Sequence, residues 1–312
     1  MAIRVWTPAT TANLGPGFDC LGMAVNLYNE LEMELTDKSV EIEVEGEGEE
    51  DIPRDQSNLV YQAAAAVFRE CGLHGFGLRI SQKNRIPMAR GMGSSAAAIV
   101  GGMVGANFLA GKKLSHEKIA HLATAMEGHP DNVLPCLYGG VIIIARQSWS
   151  NEIGSLTYRK VSAPPVSLIF AVPEFELQTN KARAVIPEAW PRDDVVSNLG
   201  WLGLLILGFV NDDLELVAKG LKDQLHQRYR GTIIPGLFEV FKAASEHKAL
   251  GAVLSGAGPS VVALVPADYF QGEISAQIGR AMQAAFARHG IGSKIIELLP
   301  SNVGAIVKRV ED

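Results

Sequence analysis

The clearest pattern in the first third of the chain is a strict alternation of apolar residues and glutamates over residues 30–45. A period of two is typical of a strand with one buried face. We therefore predict a β-hairpin that turns at residues 37–39 and keeps its glutamates in water. The same reasoning predicts a first strand over residues 3–7, ended by Pro8, and another strand over residues 76–80.

Apolar residues at helical spacing, together with capping residues, predict helices in the same region. Ser57 has the side chain of an N-cap, before a helix that Gly72 would end. A second helix is predicted over residues 115–126, where the apolar residues share one face. The most apolar run, residues 199–210, predicts a buried helix and is too short to span a bilayer.

Strands and helices follow one another in the second half without the regular order of a βαβ repeat. Helices are predicted at about 181–187, 194–210, 212–228, 235–247 and 272–288. Strands are predicted at 166–172, 251–255, 261–265, 293–298 and 303–309. This order indicates the α+β fold class in both halves. A polar, irregular segment at residues 148–155 divides the chain into two predicted domains, residues 1–155 and 156–312.

Composition limits the classes of function. The chain has 312 residues, of which 47% are hydrophobic and 20% are charged, as in an ordinary globular protein. Its net charge is −6 and it has no basic cluster, which argues against nucleic acid as a partner. Three scattered cysteines without a CxxC motif indicate neither a disulfide framework nor a zinc site. With no signal peptide and no membrane span predicted, we expect a cytoplasmic protein.

Candidate chemistry begins in the loop and helix over residues 85–110, RIPMARGMGSSAAAIVGGMVGANFLA. Gly91 and Gly93 permit a tight loop, and the alanine-rich run that follows favours a helix. Free N–H groups and the positive end of the helix dipole would face this loop, which favours an anion such as phosphate. A Gly-Ser turn before any buried alanine-rich helix has the same pattern, so the loop alone leaves both interpretations open.

Two further segments carry groups suited to phosphoryl transfer. The motif EGHPDN places Glu127, His129, Asp131 and Asn132 within six residues, and SGAGPS is a turn tight enough for close backbone approach. Ser95 and Glu127 have the hard oxygen atoms that Mg²⁺ prefers. The chain lacks GxxxxGK[ST] and GxSxG, which excludes a P-loop protein and disfavours a serine hydrolase. GMGSSA also lacks the third glycine of a dinucleotide fingerprint.

The motifs PATTANLGPGFD, PMARGMGSSAA, EGHPDN and SGAGPS occur in this order and closely resemble those of the GHMP kinases. The resemblance covers nearly the whole chain, and TANLGPGFD with EGHPDN, TNKAR and RYRG is similar to the members that act on homoserine. It implies a ribosomal-protein-S5-like N-terminal domain, a ferredoxin-like C-terminal domain and a site in the cleft between them. It also implies phosphoryl transfer from ATP, with Mg²⁺, to L-homoserine on the way to threonine. The resemblance also implies a homodimer.

The resemblance also implies roles for individual residues. Around the triphosphate of ATP it places Pro87, Arg90, Gly91, Met92, Gly93, Ser94, Ser95, Ala96 and Ala97, with Asn58 beside the adenine. It implies that Ser95 and Glu127 hold Mg²⁺ and that Thr179 approaches the γ-phosphate. The residues that would bind homoserine are Asn13, Asp19, His129, Arg183 and Arg230. These residues suit an amino acid, because a carboxylate pairs with its ammonium group and guanidinium donors pair with its carboxylate.

The resemblance leaves the proton acceptor open. Mevalonate-type members use an aspartate as base, but Asn132 stands at the equivalent position here, and no lysine precedes Asp19 in the N-terminal loop. The acceptor hydroxyl would then be positioned and not deprotonated, which phosphoryl transfer tolerates. Asp131 remains an alternative base. Two other functions also remain open, a GHMP kinase for a mevalonate-type alcohol and a ligand-sensing protein that no longer transfers phosphate.

Overall fold

The described part of the chain forms two β-sheets with helices packed against them. A computed structural model describes residues 1–37, 39–75, 77–146 and 156–310. The predicted α+β fold class is confirmed. The predicted boundary segment, residues 148–155, lies outside the described residues, and the division into two domains at residues 155 and 156 stays a prediction.

Strands and helices are numbered separately along the chain. The strands are β1 (Ala2–Ala12), β2 (Leu21–Thr36), β3 (Val40–Gly46), β4 (Gly77–Asn84), β5 (Val141–Arg146), β6 (Leu156–Val161), β7 (Val166–Pro173), β8 (Gly251–Leu254), β9 (Val261–Pro266), β10 (Ser293–Leu298) and β11 (Ile306–Arg309). The helices are α1 (Leu59–Glu70), α2 (Ser94–Leu109), α3 (His116–Glu127), α4 (Pro130–Tyr138), α5 (Thr179–Ala184), α6 (Arg192–Asn211), α7 (Leu214–Gly220), α8 (Gln227–Arg230), α9 (Leu237–Glu246) and α10 (Glu273–Ala287).

The first sheet has a central row of strands in the order β11-β1-β2-β4-β3. Outside this row, β5 pairs with β2, and β6 pairs with β5. The predicted first strand is longer than expected, since β1 continues past Pro8 with a register shift between Pro8 and Ala9. Proline has no N–H to donate, and such an irregular point in the ladder is where a strand tolerates it.

The predicted hairpin over residues 30–45 is wrong in its pairing. β3 pairs in parallel with β4, and β4 lies between β2 and β3. Alternation predicts which face of a strand is buried, and Leu31, Met33, Ile42 and Val44 are buried, although Leu35 is 39% exposed. Alternation does not determine which strand lies alongside. The glutamates lie on the outer face as expected, where arginines join them; Arg79, for example, pairs with Glu41 at 2.8 Å.

Side-chain caps set the starts of the helices that lead to the site. The N-cap of α1 is Asn58 and not Ser57 as predicted, because Asn58 Oδ1 accepts two N–H groups of the first turn. Ser57 instead donates its N–H and hydroxyl to Asp55. The helix predicted over residues 115–126 is α3, and Ser115 is its N-cap. Pro130 begins α4, a helix that the sequence analysis did not predict.

The apolar run over residues 199–210 lies in α6, but this helix is not buried as predicted. Leu205 is fully buried, whereas Val196 and Leu199 are each 62% exposed. The buried side packs against α7 and carries Asn198, which donates to a backbone carbonyl of the loop after β1 at 2.8 Å. Among the described helices, α6 alone is long and apolar enough to cross a membrane, with a mean hydropathy of 1.4. This match rests on length and composition alone.

The second sheet has the order β10-β7-β9-β8, and each neighbouring pair is antiparallel. Every residue of β7 is buried, because one face of the strand lies on the core of the first sheet and the other on a second core beneath α9 and α10. The last strand, predicted over residues 303–309, does not join this sheet. It returns to the first sheet as β11, antiparallel to β1.

The helix predicted over residues 212–228 is interrupted between α7 and α8. Asp223 lies in the break, and its carboxylate accepts the N–H groups of Leu225, His226 and Gln227 at 2.7 to 3.0 Å. Such side-chain acceptors offer the backbone an alternative to a continuous helix. The break turns α8 toward the cleft between the sheets, where Arg230 lies at its end.

Candidate active site

One cavity brings together the predicted phosphate, metal and acceptor residues. It is bounded by the loop after β1, the glycine loop before α2, the junction of α3 and α4, the start of α5, the end of α8 and the glycine turn after β8. The sequence-predicted residues that line it are Asn13, Asp19, Pro87, Arg90, Gly91, Met92, Gly93, Ser94, Ser95, Glu127, His129, Asp131, Asn132, Thr179, Arg183 and Arg230. Residues from both halves of the chain thus face the same space.

Three sequence-predicted residues do not line this cavity. Ala96 and Ala97 are fully buried in the first turn of α2. Asn58 lines an adjoining cavity of about 450 Å³, which shares Ser95 and Thr179 with the first. The amide of Asn58 is occupied within the protein, since Oδ1 caps α1 and Nδ2 donates to a backbone carbonyl at 2.8 Å. Asn58 therefore shapes the adjoining cavity through the backbone around it.

The glycine loop is pressed between two other segments. Gly93 has a φ of 73°, and a Cβ there would lie 1.9 Å from Oγ1 of Thr10. Gly91 has a φ of 75°, and a Cβ there would lie 2.1 Å from the carbonyl oxygen of Ser255. Glycine alone combines positive φ with such close approach at little cost. Both glycines therefore place the start of α2, whose first N–H groups have no acceptor within the helix, at the wall of the cavity.

Ser95 and Glu127 form a pair of oxygen groups at the cavity wall. Ser95 donates its hydroxyl to Glu127 Oε2 at 2.7 Å. Burial raises the pKa of Glu127, and the hydrogen bond from Ser95 opposes this effect only in part. A cation beside the carboxylate would relieve the cost of its burial, and two hard oxygen groups fit Mg²⁺, which takes its other ligands from phosphates and water. Within the described part of the chain, no three His, Cys, Asp or Glu side chains cluster as ligands for a metal.

His129 and Asp131 form a buried pair at the start of α4. His129 Nδ1 lies 2.7 Å from Asp131 Oδ1. Burial favours the protonated form of Asp131, but the hydrogen bond from His129 and the charges of His129 and Arg183 outweigh it and lower the pKa of Asp131. Burial likewise disfavours a charged His129, but its hydrogen bond to Asp131 and the nearby carboxylates raise its pKa. Asp131 is therefore a charged partner of His129 and a weak proton acceptor.

The two asparagines of the cavity have different surroundings. Asn132 Oδ1 accepts the hydroxyl of Thr10 at 2.7 Å, which fixes the orientation of its amide. Asn13 donates Nδ2 to the carbonyl of Gly256 at 2.8 Å and accepts the N–H of Asp19 at 3.0 Å. Asn13 thus joins the loop after β1 to the glycine turn and orients Asp19 at the same time.

Asp19 lies next to two guanidinium groups. Arg183 donates Nη1 and Nη2 to the two carboxylate oxygens of Asp19 at 2.9 and 2.7 Å. Arg230 is 2% exposed and donates Nη1 to the carbonyl of Gly256 at 3.1 Å. Burial lowers the pKa of Arg230 to about 10, so this group stays protonated at neutral pH. The carboxylate expected to meet the ammonium of a substrate is therefore paired with Arg183.

Arg90 lines the cavity, but its guanidinium is bonded within the protein: Nη1 donates to the carbonyl of Met88 at 2.7 Å, and the other bonds reach the second half of the chain. Nε donates to the carbonyl of Pro173 at 2.9 Å, and Nη2 donates to that of Glu174 at 2.5 Å. Nη1 also pairs with Glu176 at 3.3 Å. These bonds fasten the glycine loop to the end of β7, and a role for Arg90 in nucleotide binding stays a prediction.

Sequence reasoning missed three residues that hold the site together: Thr10, Phe18 and His226. The ring centre of Phe18 lies 5.9 Å from the guanidinium carbon of Arg183 and 5.4 Å from that of Arg230. His226 Nδ1 lies 3.0 Å from Arg230 Nη1. The spacing of four residues between His226 and Arg230 is a signal for this contact, since such pairs meet on one side of a helix.

Comparison with known proteins agrees with this geometry. The family model for the GHMP kinases N terminal domain matches residues 58–140, and the model for the GHMP kinases C terminal domain matches residues 205–288. The homoserine kinase of Moorella thermoacetica is 44% identical over 304 residues, which cover 97% of this chain and 99% of that protein. The homoserine kinase of Carboxydothermus hydrogenoformans is 42% identical, with 97% and 96% covered.

A solved structure shows the same likeness in three dimensions. The crystal structure of homoserine kinase from Cytophaga hutchinsonii superposes with a TM-score of 0.86 at 32% identity, and the match covers 98% of this chain and 97% of that one. Its coverage includes both sheets and the cleft between them. Sequence and fold agree over nearly the full length, and the chain therefore belongs to the homoserine kinases of the GHMP kinase family.

Proposed function

We propose that this protein transfers the γ-phosphoryl group of ATP to the side-chain hydroxyl of L-homoserine, releasing ADP and O-phospho-L-homoserine on the way to threonine. The observation that carries the proposal is the meeting of two unlike subsites in one cavity. One is a glycine loop at a helix N-terminus, and the other is a carboxylate beside two arginines. The two relatives named homoserine kinase match nearly the whole chain, which supports the same reaction here.

The acceptor subsite has the charges that a zwitterion requires. Asp19 would take the ammonium of homoserine, and Arg183 and Arg230 would take its carboxylate. Because Arg183 and Asp19 already pair at 2.7 and 2.9 Å, a zwitterion can replace each partner of that pair with a group of the same charge. A ligand with only one of the two charges would leave Asp19 or Arg183 without its partner, which is costly at a partly buried site.

The donor subsite has the groups that a triphosphate requires. Free N–H groups at the start of α2 and the dipole of that helix favour phosphate oxygens in the glycine loop. Ser95 and Glu127 would hold Mg²⁺, which when bound neutralises charge on the transferred phosphate. Thr179 lines both this cavity and the adjoining one, which supports a role for it between the two substrates.

The acceptor hydroxyl would be oriented by the protein. Asn132, fixed by Thr10, offers an amide to it, and Asp131 is a weak base because His129 and Arg183 lower its pKa. Phosphoryl transfer depends mainly on alignment and on stabilisation of charge, so early removal of the hydroxyl proton is not required. Asn132 would therefore position the hydroxyl, and Asp131 would keep His129 charged and in place.

A substrate panel tests the proposal. ADP release is measured with ATP, Mg²⁺ and one of homoserine, mevalonate, galactose, serine or threonine. We expect the highest kcat/KM with homoserine. Preference for mevalonate would support the alternative of a mevalonate-type kinase, and ATP binding without ADP release on any alcohol would support a ligand-sensing protein.

An arginine-to-lysine change tests the acceptor subsite. Arg183→Lys keeps the charge but loses the planar pair of donors that meets Asp19. We expect the KM for homoserine to rise by about 10-fold or more while the KM for ATP changes little. Arg159→Lys, an exposed arginine on β6, is the matched control. Equal changes in both KM values would mean that Arg183 serves the phosphates or the fold.

The remaining expectations are not needed for this chemistry. A cytoplasmic location and a homodimer stay predictions, as does the absence of nucleic acid and membrane partners. Sedimentation of the purified protein would decide the oligomeric state.

A further inference from the structure

An imidazole lies directly behind the acceptor subsite, outside the cavity. His226 is fully buried and is absent from the lining of the cavity. Its Nδ1 lies 3.0 Å from Arg230 Nη1, and its Nε2 lies 2.9 Å from the carbonyl oxygen of Gly15. His226 therefore touches two segments of the acceptor subsite, α8 and the loop after β1, without touching the space where a ligand would sit.

The partners of His226 define its protonation. A guanidinium has only donors, so Nδ1 must accept from Arg230, and Nε2 must then donate to the carbonyl of Gly15. This arrangement requires the neutral imidazole. The pKa of His226 is lowered to about 4, chiefly by burial and further by the charge of Arg230, although Asp223 at 3.7 Å opposes this effect.

Arg230 gains a fixed direction from these contacts. Nη1 is held by His226 at 3.0 Å and by the carbonyl of Gly256 at 3.1 Å, and Nε approaches the carbonyl of Ala182 at 3.4 Å. The hydrogen bonds described for Arg230 do not involve Nη2, which leaves that nitrogen for a ligand in the cavity that Arg230 lines.

Phe18 completes the support. Its ring stacks on the imidazole of His226 with centroids 5.2 Å apart and an interplanar angle of 18°. The same ring lies within 6 Å of the guanidinium carbons of both Arg183 and Arg230. Two like charges are thus held near each other by one ring and one neutral imidazole. A protonated imidazole would add a third positive charge and present a donor to Arg230.

We propose that His226 is a positioning residue for the carboxylate of the amino-acid substrate: it holds the Arg230 guanidinium by accepting its N–H and anchors the loop that carries Asp19 through Gly15. This role rests on the proposed function, because it assumes that Arg230 binds the acceptor. It predicts an effect on the binding of homoserine and none on the binding of ATP. It also assigns the effect to one ring nitrogen, Nδ1, rather than to the presence of a ring.

Two substitutions separate the two nitrogens of His226. His226→Asn puts an acceptor oxygen close to the position of Nδ1 and removes the bond to Gly15. His226→Gln puts a donor nitrogen close to the position of Nε2 and removes the acceptor for Arg230. We expect His226→Gln to raise the KM for homoserine by about 10-fold or more and His226→Asn by about 3-fold or less, with the KM for ATP unchanged in both.

His247→Gln is the matched control, since His247 is exposed and its Nδ1 contacts only the carbonyl of Ala243 within the described residues. The proposal would be overturned if the two His226 variants raised the KM for homoserine equally. It would also be overturned if either variant raised the KM for ATP as much as the KM for homoserine. Failure of the unaltered protein to phosphorylate homoserine would contradict the proposed function and this role together. Normal turnover with no difference between the variants would contradict this role alone.

A measurement on the unaltered protein covers the case in which both variants fail to fold. ¹⁵N NMR of histidine-labelled protein at pH 5.5 should show one imidazole that is still neutral, with Nε2 protonated and Nδ1 bare. Its Nδ1 signal should shift when homoserine is added and not when ADP is added. A neutral ring with protonated Nδ1, or a shift with ADP alone, would overturn the proposal.

Discussion

At the scale of single residues, the carboxylates of the cleft each have a partner at hydrogen-bond distance. The pairs are Asp19 with Arg183, Asp131 with His129, and Glu127 with Ser95. Burying a charged group costs free energy unless a hydrogen-bond or ion-pair partner compensates for the lost water, so these contacts stabilise the cleft. Glu127 differs from the other two, because its partner is a neutral hydroxyl and its pKa is raised by burial. This carboxylate therefore gains the most from a cation.

The first prediction concerns that carboxylate. Glu127→Gln and Ser95→Ala should each lower kcat by about 100-fold or more, because each removes an oxygen group proposed to hold Mg²⁺ beside the phosphates. Both variants should also need more Mg²⁺ for half-maximal activity. The measurement is kcat against Mg²⁺ concentration, with circular dichroism to check folding. Glu117→Gln, an exposed residue of α3, is the control. Near-normal turnover in both Glu127→Gln and Ser95→Ala would contradict the proposal that these residues hold Mg²⁺.

The second prediction concerns the proton of the acceptor hydroxyl. If Asn132 positions the hydroxyl, Asn132→Ala should slow transfer without changing the ionisations seen in the profile of kcat against pH. Asp131→Asn should reduce kcat moderately and leave the acidic limb unchanged, because Asp131 serves His129. A general base would be worth about 100- to 10,000-fold.

The comparison uses saturating homoserine and covers unaltered protein and both variants. Loss of the acidic limb together with a collapse of kcat in Asp131→Asn alone would make Asp131 the base. That outcome would contradict the mechanism in which the protein only positions the acceptor hydroxyl.

At the scale of elements, short local signals place the ends of helices at the cleft. Gly93 begins α2, Gly128 ends α3 with a φ of 90°, and Pro130 starts α4. Each of these residues controls the backbone over only a few positions. Together they direct the start of α2 and the junction of α3 and α4 into one cavity.

The third prediction separates close packing from backbone strain in α2. Gly93 and Gly111 flank this helix with φ values of 73° and 84°, but a Cβ on Gly93 would lie 1.9 Å from Thr10 Oγ1, whereas nothing lies within 4 Å at Gly111. Gly111→Ala should therefore cost about 1–2 kcal/mol of unfolding free energy and leave kcat unchanged. Gly93→Ala should cost more and also lower kcat, because Thr10 and the glycine loop must move apart.

Urea denaturation and steady-state kinetics of the two variants check this prediction. Equal losses of stability with full activity in both would show that the contact between Gly93 and Thr10 does not shape the site.

At the scale of the whole molecule, the two sheets share a core, and loops from both halves are bonded across the cleft. The N–H of Gly256 donates to the carbonyl of Ala12 at 3.1 Å, and the hydroxyl of Ser255 donates to the carbonyl of Gly91 at 2.6 Å. His226 adds a third link through Gly15. The site is therefore formed only when both halves have packed together.

The fourth prediction follows from the burial of His226 at this junction. Its pKa is about 4 in the folded protein against 6.5 for an ordinary histidine, so the unfolded chain binds the proton more readily between these pH values. The stabilisation that comes from keeping His226 neutral is complete above pH 6.5 and is lost as pH falls toward 4. The difference in pKa corresponds to a loss of about 3 kcal/mol.

His226→Asn lacks this ionisation and serves as the comparison. The free energy of unfolding, measured by urea at intervals from pH 7 to pH 4, should fall more steeply for the unaltered protein than for the variant. Parallel curves over that interval would show that His226 does not carry the acid sensitivity.

The sequence alone was sufficient for features that depend on neighbouring residues. The glycine loop and α2, the start of α3 near Ser115 and the strands β7 to β11 were predicted, whereas β6 was not, because propensity and side-chain period act over a few positions. The motifs also identified most residues of the cavity, since each motif is contiguous and its residues stay together in any fold.

Only the tertiary structure decided which distant segments meet. The position of β4 between β2 and β3, the return of β11 to the first sheet and the exposed side of α6 all depend on packing partners that a hydrophobic period does not name. The same holds for the pairing of Asp19 with Arg183 and for His226 behind Arg230. Asp19 and Arg183 lie far apart in the chain and meet only in the folded protein, and His226 and Arg230 reach the cleft because the break at Asp223 turns α8 toward it.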